Sequence, residues 1–424
     1  MLMLMLFMPI FQSTFNIFEI KPLDGSFAQI EKADFKFFTW KRWFDESFQN
    51  KINKAIEDNI GYRNILIRLY NQLNYSFFNK TLTQKAVIGK SDCLYEEEYI
   101  LDYTGYNFIG KKTIAQHLLK TKKLQDFLKK DKHVDLVIIY APGKASFFPE
   151  YIPDKYKPKA KTLSNYEYYA EMSNVLKINH LDLNKWFILM KDTSQYPLYP
   201  KYGIHWSTYG MHLAIDTIIK HIEKTKNINL INPLWKKITA TDSVKDADYD
   251  IEKTLNLLFK LPSERMAYPE IIIKEDTTKD KPNVLVIADS YYWSIYNSGI
   301  PQKVFGNHEF WYYNYTIYPD CWGDNARYVD KNNACENIEK QDIILLMITE
   351  LNLCRGFFNF TDELYNKYFP DTPKDEIYDF KLWYLNFDDK RKALYHKADS
   401  CRTTPEKILD KMAYINHWIS NKYK

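Results

Sequence analysis

The stretch Val284-Leu-Val-Ile-Ala-Asp-Ser-Tyr-Tyr-Trp293 decides the fold of this 424-residue chain. Its first five residues are all apolar, which is typical of a strand buried on both faces of a parallel sheet. Asp289 and Ser290 follow directly, and an aromatic run then begins a predicted helix. Ser290 is therefore expected at the carboxyl end of a strand, where α/β sheets bind their ligands. It is either a nucleophile beside free helix N–H groups or a plain N-cap residue.

Two further apolar runs, 134–140 and 343–348, predict more strands of the same sheet. Helical patterns alternate with these strands, which predicts an α/β fold with three layers, α/β/α, around a mostly parallel sheet. Apolar residues recur every four positions within 35–80 and predict N-terminal helices. The segment 224–281 is polar and charge-rich, which indicates an insertion or lid with one helix near 251–261.

A second stretch, Tyr202-Gly-Ile-His-Trp-Ser-Thr-Tyr-Gly210, runs into an amphipathic helical pattern. Ser207 is the predicted N-cap of that helix. His205 and Trp206 are then expected in the loop before it, from which a histidine can reach a neighbouring strand end. A lone histidine is more often a surface or core residue, but this placement suits a general base acting on the nucleophile Ser290.

Four stretches together form a recognisable pattern: Ala86-Val-Ile-Gly-Lys-Ser-Asp-Cys-Leu-Tyr95, the strand and Pro-Gly-Lys segment 135–150, Gly203-Ile-His-Trp-Ser207 and Ala288-Asp-Ser-Tyr291. In order and spacing, over about residues 35–355, they resemble the alginate O-acetyltransferase family of AlgX- and AlgJ-related proteins. This is an SGNH-hydrolase-like group that includes DHHW-type proteins. The resemblance implies an SGNH-hydrolase-like domain over 81–424, with the insertion at about 224–281.

Two positions depart from the family pattern. Ala288 stands where the nucleophile block usually has glycine, and Gly203 stands where the histidine block usually has the aspartate of a catalytic triad. Three outcomes are open for the missing acid: a carboxylate from elsewhere, with Glu350 at the end of a third strand as the first candidate; a dyad whose ring is oriented by a carbonyl or water; or an inactive site.

Several other residues are expected near the site. The donors for an oxyanion are predicted to be the Ser290 backbone N–H and one side-chain amide. Lys144 is either a cation at the edge of the site or a solvated lysine. The residues assigned to oxyanion or substrate binding are Asn314, Asn307, Trp206, Asp289 and Tyr291.

The composition excludes some functions and leaves others open. The net charge of +4 is small for this length, and basic residues alternate with acidic ones, so no nucleic-acid partner is expected. The five cysteines form no CxxC pair, so metal ligation is not expected. No cofactor is predicted. The chain holds 34 Tyr, 26 Phe and 10 Trp. This aromatic excess indicates either a biased genome or a sugar-binding face.

The first twenty residues are strongly apolar, and the first charged residue is Glu19. This segment, 1–20, is predicted to be a signal peptide or an uncleaved anchor, although a basic flank and a small-residue cleavage site are missing. The expected location is therefore outside the cytoplasm, in the periplasm or cell envelope.

Three functions follow from the resemblance and its departures. The first is an O-acetyltransferase that modifies an extracytoplasmic polysaccharide through an acyl-serine intermediate, with acetyl groups supplied by a membrane-bound acyltransferase partner. The second is a carbohydrate acetylesterase that uses the same residues with water as the acceptor. The third is an inactive polysaccharide-binding or assembly protein.

Overall fold

The computed structural model describes residues 2–25, 35–158, 162–370 and 376–422. The strands are β1 (Ala86–Ile88), β2 (Leu94–Glu96), β3 (Asp135–Ala141), β4 (His180–Asp182), β5 (Leu234–Thr241), β6 (Met266–Ile272), β7 (Val284–Ala288), β8 (His308–Tyr312), β9 (Thr316–Tyr318) and β10 (Ile343–Thr349).

The helices alternate with the strands through much of the chain. They are α1 (Leu2–Phe15), α2 (Trp40–Phe44), α3 (Ser47–Asn59), α4 (Arg63–Phe78), α5 (Glu97–Tyr103), α6 (Lys111–Phe127), α7 (Lys144–Phe147), α8 (Asn165–Val175), α9 (Leu183–Met190), α10 (Thr208–Lys226), α11 (Asp250–Leu255), α12 (Tyr291–Asn297), α13 (Ile300–Val304), α14 (Ala334–Glu339), α15 (Phe360–Tyr368), α16 (Glu376–Leu385), α17 (Asp388–Ser400) and α18 (Pro405–Lys422).

A central sheet with the strand order β4-β3-β10-β7-β8-β9 forms the middle layer. All neighbouring strands in it run parallel except β8 and β9. The three strands predicted from apolar runs lie side by side, because Ile343 of β10 pairs with Asp135 of β3 and with Val284 of β7. The predicted α/β class with a mostly parallel sheet is confirmed.

Alternate residues of the central strands pack into two separate cores. Val286 and Val137 point to the face covered by α9, α10 and α12, whereas Leu285 and Ile138 point to the face covered by α6, α8 and α15. Every residue of β3, β7 and β10 is buried, as expected for strands with helices on both sides. The expected three-layer α/β/α arrangement is therefore present.

Helices α2, α3 and α4 occupy the region 35–80 that was predicted to be helical. The apolar segment at the N-terminus contains α1, which has 14 residues and includes Pro9. Within the described residues, no helix has the length and apolar character needed to cross a bilayer. The expectation of a membrane anchor in this segment has no support from that finding.

The segment 224–281 contains structure that its polar sequence did not predict. Strands β5 and β6 pair antiparallel as a separate two-stranded sheet, with an irregularity between Trp235 and Lys237. The helix expected near 251–261 is shorter than predicted, because α11 ends at Leu255. This segment packs against α10, which brings it beside the carboxyl ends of the central strands.

Candidate active site

Ser290 follows β7 and immediately precedes α12. Ser290 is the N-cap residue of that helix by position, but its side chain makes no capping hydrogen bond to it. The Oγ atom of Ser290 instead lies 3.0 Å from Nε2 of His205. The expected approach of these two side chains, which are 85 residues apart in the chain, is therefore confirmed.

Asp250 holds the other side of the histidine ring. Its Oδ2 atom lies 2.5 Å from Nδ1 of His205, and its Oδ1 atom accepts the backbone N–H of Ile204 at 2.7 Å. One carboxylate thus fixes both the ring and the backbone beside it. Ser290, His205 and Asp250 form a hydrogen-bonded series with the arrangement that a nucleophile, a base and an acid have in acyl-transfer sites.

Gly203 has no room for the acid that the family pattern places there. A Cβ atom at this position would lie 2.3 Å from the carbonyl oxygen of Ala247 and 2.7 Å from Cγ of Pro200. Ala247 belongs to the same segment that supplies Asp250. The backbone of the segment that contains Asp250 therefore occupies the space that an aspartate side chain at position 203 would need.

Glu350 is not the acid, contrary to the sequence-based expectation. It does follow β10, but its buried carboxyl group accepts the Ser146 hydroxyl at 2.5 and 2.7 Å and the Asn184 amide at 2.6 Å. The carboxyl group also fills the space beside Gly143, where a Cβ atom would lie 2.0 Å from its Oε2. Glu350 therefore braces the loop after β3 and does not contact His205.

We expect Glu350 to make the stability of the protein depend on pH. Burial, with a smaller contribution from Asp102, raises the pKa of this carboxyl group from 4.5 to about 8. The neutral form is favoured in the folded state, so its stabilising effect is complete below pH 4.5 and is lost as the pH rises towards 8. The free energy of unfolding of the wild type should fall by a few kcal/mol across this window, and that of Glu350→Gln should not.

The measurement is the urea midpoint of the wild type and of Glu350→Gln at pH 5 to 8.5. Burial also raises the pKa of Asp102, to about 7. Because both proteins keep Asp102, the difference between their urea midpoints reports the titration of Glu350. Parallel curves for the two proteins would contradict this assignment of the titrating group.

Asp289 and Tyr291, which were assigned to oxyanion or substrate binding, are both buried and form hydrogen bonds to neighbouring protein groups. Asp289 is buried and accepts hydrogen bonds from the backbone and hydroxyl of Thr349 and from the Asn352 amide, which ties the end of β7 to β10. The fully buried Tyr291 donates its hydroxyl to the Ile204 carbonyl at 2.7 Å. Both residues therefore position the neighbours of Ser290 and His205.

The two asparagines predicted as oxyanion donors lie in other contacts. Asn307 precedes β8, and its backbone carbonyl accepts the N–H of Val284, at the opposite end of β7 from Ser290. The Asn314 amide donates to the Phe358 carbonyl and to Glu363. Neither side chain forms a hydrogen bond to Ser290 in the described part of the protein. The backbone N–H of Ser290 remains the predicted donor.

Lys144 is fully buried, so the interpretation as a solvated lysine is wrong. Its Nζ atom donates to the carbonyl oxygens of Lys201 at 2.9 Å and Gly203 at 2.5 Å. Burial lowers the pKa of this amine. Lys144 thus fastens the loop that carries His205, a role that its Pro-Gly-Lys sequence context does not reveal.

A cavity of about 590 Å³ opens beside Ser290 and His205. Trp206 lines it and also packs the histidine loop, with its indole N–H donating to Ser294 at 2.9 Å. The far wall comes from the segment 224–281, through Pro269 and neighbouring residues. Ser290 therefore faces a space large enough for a substrate, between α12 and this segment.

Residues 86–283 match the family model described as the SGNH hydrolase-like domain of the acetyltransferase AlgX. This segment is similar to that family. The match confirms the resemblance drawn from the motifs, and it includes His205 and Asp250 but ends before Ser290. No curated protein sequence matches the chain.

Three solved structures are similar to this SGNH hydrolase-like chain at low sequence identity. The O-acetyltransferase domain of Pseudomonas putida AlgJ is 13% identical over 63% of this chain and 92% of its own, with a TM-score of 0.41. Pseudomonas aeruginosa AlgX is 12% identical over 66% and 67%, with a TM-score of 0.41. Bacillus cereus PatB1 with a sulfonyl adduct is 13% identical over 60% and 94%, with a TM-score of 0.39.

Proposed function

We propose that this SGNH hydrolase-like protein is an O-acetyltransferase that modifies an extracytoplasmic polysaccharide through an acetyl-Ser290 intermediate. The observation that carries the proposal is the unbroken series Ser290–His205–Asp250, with contacts of 3.0 and 2.5 Å. The glycine at position 203 cannot serve as a triad acid, which had favoured an inactive binding protein. Asp250 supplies a carboxylate beside His205, so the glycine no longer argues for an inactive site.

In the first half-reaction, Ser290 Oγ attacks the carbonyl carbon of an acetyl donor while His205 Nε2 takes the hydroxyl proton. The backbone N–H of Ser290 is proposed to stabilise the oxyanion of the tetrahedral intermediate. The donor's ester bond then breaks, and His205 returns the proton to the leaving oxygen. Asp250 keeps the Nδ1 proton in place and stabilises the transient imidazolium.

In the second half-reaction, a sugar hydroxyl enters the cavity and loses its proton to His205 as its oxygen attacks acetyl-Ser290. The new sugar ester forms, the bond to Ser290 breaks, and the proton passes back to Ser290 Oγ. A membrane-bound acyltransferase is the proposed source of the acetyl group. A carbohydrate acetylesterase would differ only in using water at this step.

The test is to incubate the protein with p-nitrophenyl acetate and locate the acetyl group by mass spectrometry of peptides. We expect acetyl-Ser290 to accumulate without an acceptor, and to disappear as O-acetylated glycan forms when oligosaccharides are added. Release of free acetate alone with every acceptor would favour the esterase. A Ser290 peptide that never carries acetyl would overturn the acyl-serine route.

A further inference from the structure

The charges around the cavity beside Ser290 are negative. Asp246 and Asp250 line it, and no lysine or arginine does so among the residues that the structure describes. His212, also in the wall, is neutral at pH 7 because burial lowers its pKa to about 4. The nearby Lys245 turns its Nζ over the Tyr268 ring, 5.5 Å from the ring centre. An anionic substrate would therefore meet carboxylates here without a compensating cation in the wall.

Aromatic rings continue from this cavity along one side of α12. Trp293 lines the cavity three residues after Ser290. Trp322 lies edge-on to Trp293 with ring centres 5.6 Å apart, and Tyr318 stacks on Trp293 at 6.2 Å. We call these three residues, Trp293, Tyr318 and Trp322, the aromatic shelf.

The outer end of the aromatic shelf is open. Trp322 is 60% exposed, although it lies beside the rings of Trp293, Tyr312 and Tyr318. Its neighbours Asp320 and Asp324 are acidic, and the nearby Arg327 lies within 4 Å of carboxylate oxygens of Asp320 and Glu309. The shelf therefore presents an apolar face beside an edge where the carboxylate of Asp320 is paired with Arg327.

Rings and hydroxyl-binding groups alternate along this surface. The Tyr318 hydroxyl donates to Oδ1 of Asn297, and Asn297 also lines the cavity. An apolar ring face with polar groups at its edge matches a pyranose, whose C–H face packs on an aromatic ring while its hydroxyls form hydrogen bonds.

We propose that the acceptor is an uncharged glycan chain, with one sugar hydroxyl at Ser290 and a neighbouring sugar ring on Trp322. A polyuronate is the disfavoured class, because its carboxylates would lie against Asp246 and Asp250. This inference rests on the proposed acyl transfer and adds the acceptor class to it. Each like-charge contact near a protein surface costs enough to lower binding about tenfold.

The experiment compares two acceptors that differ only in oxidation at C6, a hexose oligosaccharide and the uronic acid oligosaccharide of the same linkage and length. Both compete for acetyl-Ser290, and mass spectrometry counts the acetylated products. We expect the neutral chain to be favoured by about tenfold or more at low salt, and by less as salt screens the carboxylates. Equal use of the two acceptors, or a preference for the uronate, would overturn the proposal.

Two variants test which residues cause the preference for the neutral chain. Asp246→Lys should shift the preference towards the uronate, because it replaces a repelling charge with an attracting one. Trp322→Ala should lower the ratio of glycan acetylation to acetate release about tenfold, as expected for the loss of one stacked ring. Trp418→Ala, in which a tryptophan with a similar exposure of 62% is removed from α18, is the matched control and should keep the ratio.

The outcomes separate this inference from the proposed function. If acetyl-Ser290 forms but the ratio of the two acetylated products depends neither on charge nor on Trp322, the acceptor inference fails while the acyl-serine route stands. If acetyl-Ser290 never forms, the proposed function fails, and binding of the two oligosaccharides by calorimetry still tests the acceptor class. Tighter or equal binding of the uronate there would refute the inference on its own.

Discussion

Ser290→Ala should abolish the turnover of acetyl esters while the protein stays folded. Removal of a serine nucleophile from a complete triad lowers kcat by on the order of 10⁶. The Ser290 hydroxyl makes no cap hydrogen bond to α12, so its loss should cost within about 1 kcal/mol of stability. The measurements are the rate of p-nitrophenol release and the urea midpoint of the purified variant.

The matched control is Ser243→Ala, which removes an exposed hydroxyl from the segment 224–281. It should hydrolyse the ester at the wild-type rate. Undiminished hydrolysis by Ser290→Ala would show that another group, or the surface at large, attacks the ester. A low rate combined with a lost unfolding transition would instead mean that the hydroxyl is needed for folding, contrary to its contacts.

The central strands were predictable because burial on both faces leaves a continuous apolar run. The runs 134–140, 284–288 and 343–348 agree with β3, β7 and β10 to within one residue at either end. The position of Ser290 followed from the run 284–288, and that of His205 followed from the amphipathic helical pattern after it. Local sequence was sufficient to predict the strands in which every residue is buried.

Other elements were missed because their patterns are mixed. No residue of β5 is buried, and the strand is interrupted by an irregularity, so its sequence lacks a continuous apolar run. β8 forms part of the aromatic stretch 310–315, to which the sequence analysis assigned no element. Aromatic residues fit strands and helices alike when they are buried, and periodicity alone does not separate the two.

The acid could not be predicted because its contact is long-range. Asp250 lies 45 residues after His205, at the start of a short helix in a polar segment that contains several aspartates. Glu350 was favoured because it follows a central strand, but a position at the strand end does not decide where a side chain turns. Only the fold distinguishes Asp250 from its neighbours Asp246 and Asp248.

Asp250→Asn should lower kcat by about four orders of magnitude without unfolding the protein. The asparagine keeps an oxygen for the Ile204 N–H, so the loop stays attached. Its amide can donate to Nδ1, however, which favours the wrong ring tautomer and leaves Nε2 unable to accept the Ser290 proton. The corresponding change in a serine protease triad costs about 10⁴ in kcat. Acetyl ester hydrolysis measures the effect, with the exposed Asp242→Asn as the matched control.

Gly203→Asp should not rescue this variant, although it restores the carboxylate of the family pattern. The added Cβ atom alone would lie 2.3 Å from the Ala247 carbonyl, a backbone atom that cannot turn aside as a flexible side chain would. We therefore expect Gly203→Asp to displace the segment that carries Asp250 and to lower activity even in the wild-type background. Recovery of activity in Gly203→Asp combined with Asp250→Asn would show that this segment moves freely and that the acid can act from either position. Continued inactivity, together with a lowered urea midpoint, would show that an acid at position 203 and an acid at position 250 exclude each other. The reason would be that the backbone at Ala247 occupies the space of a side chain at position 203.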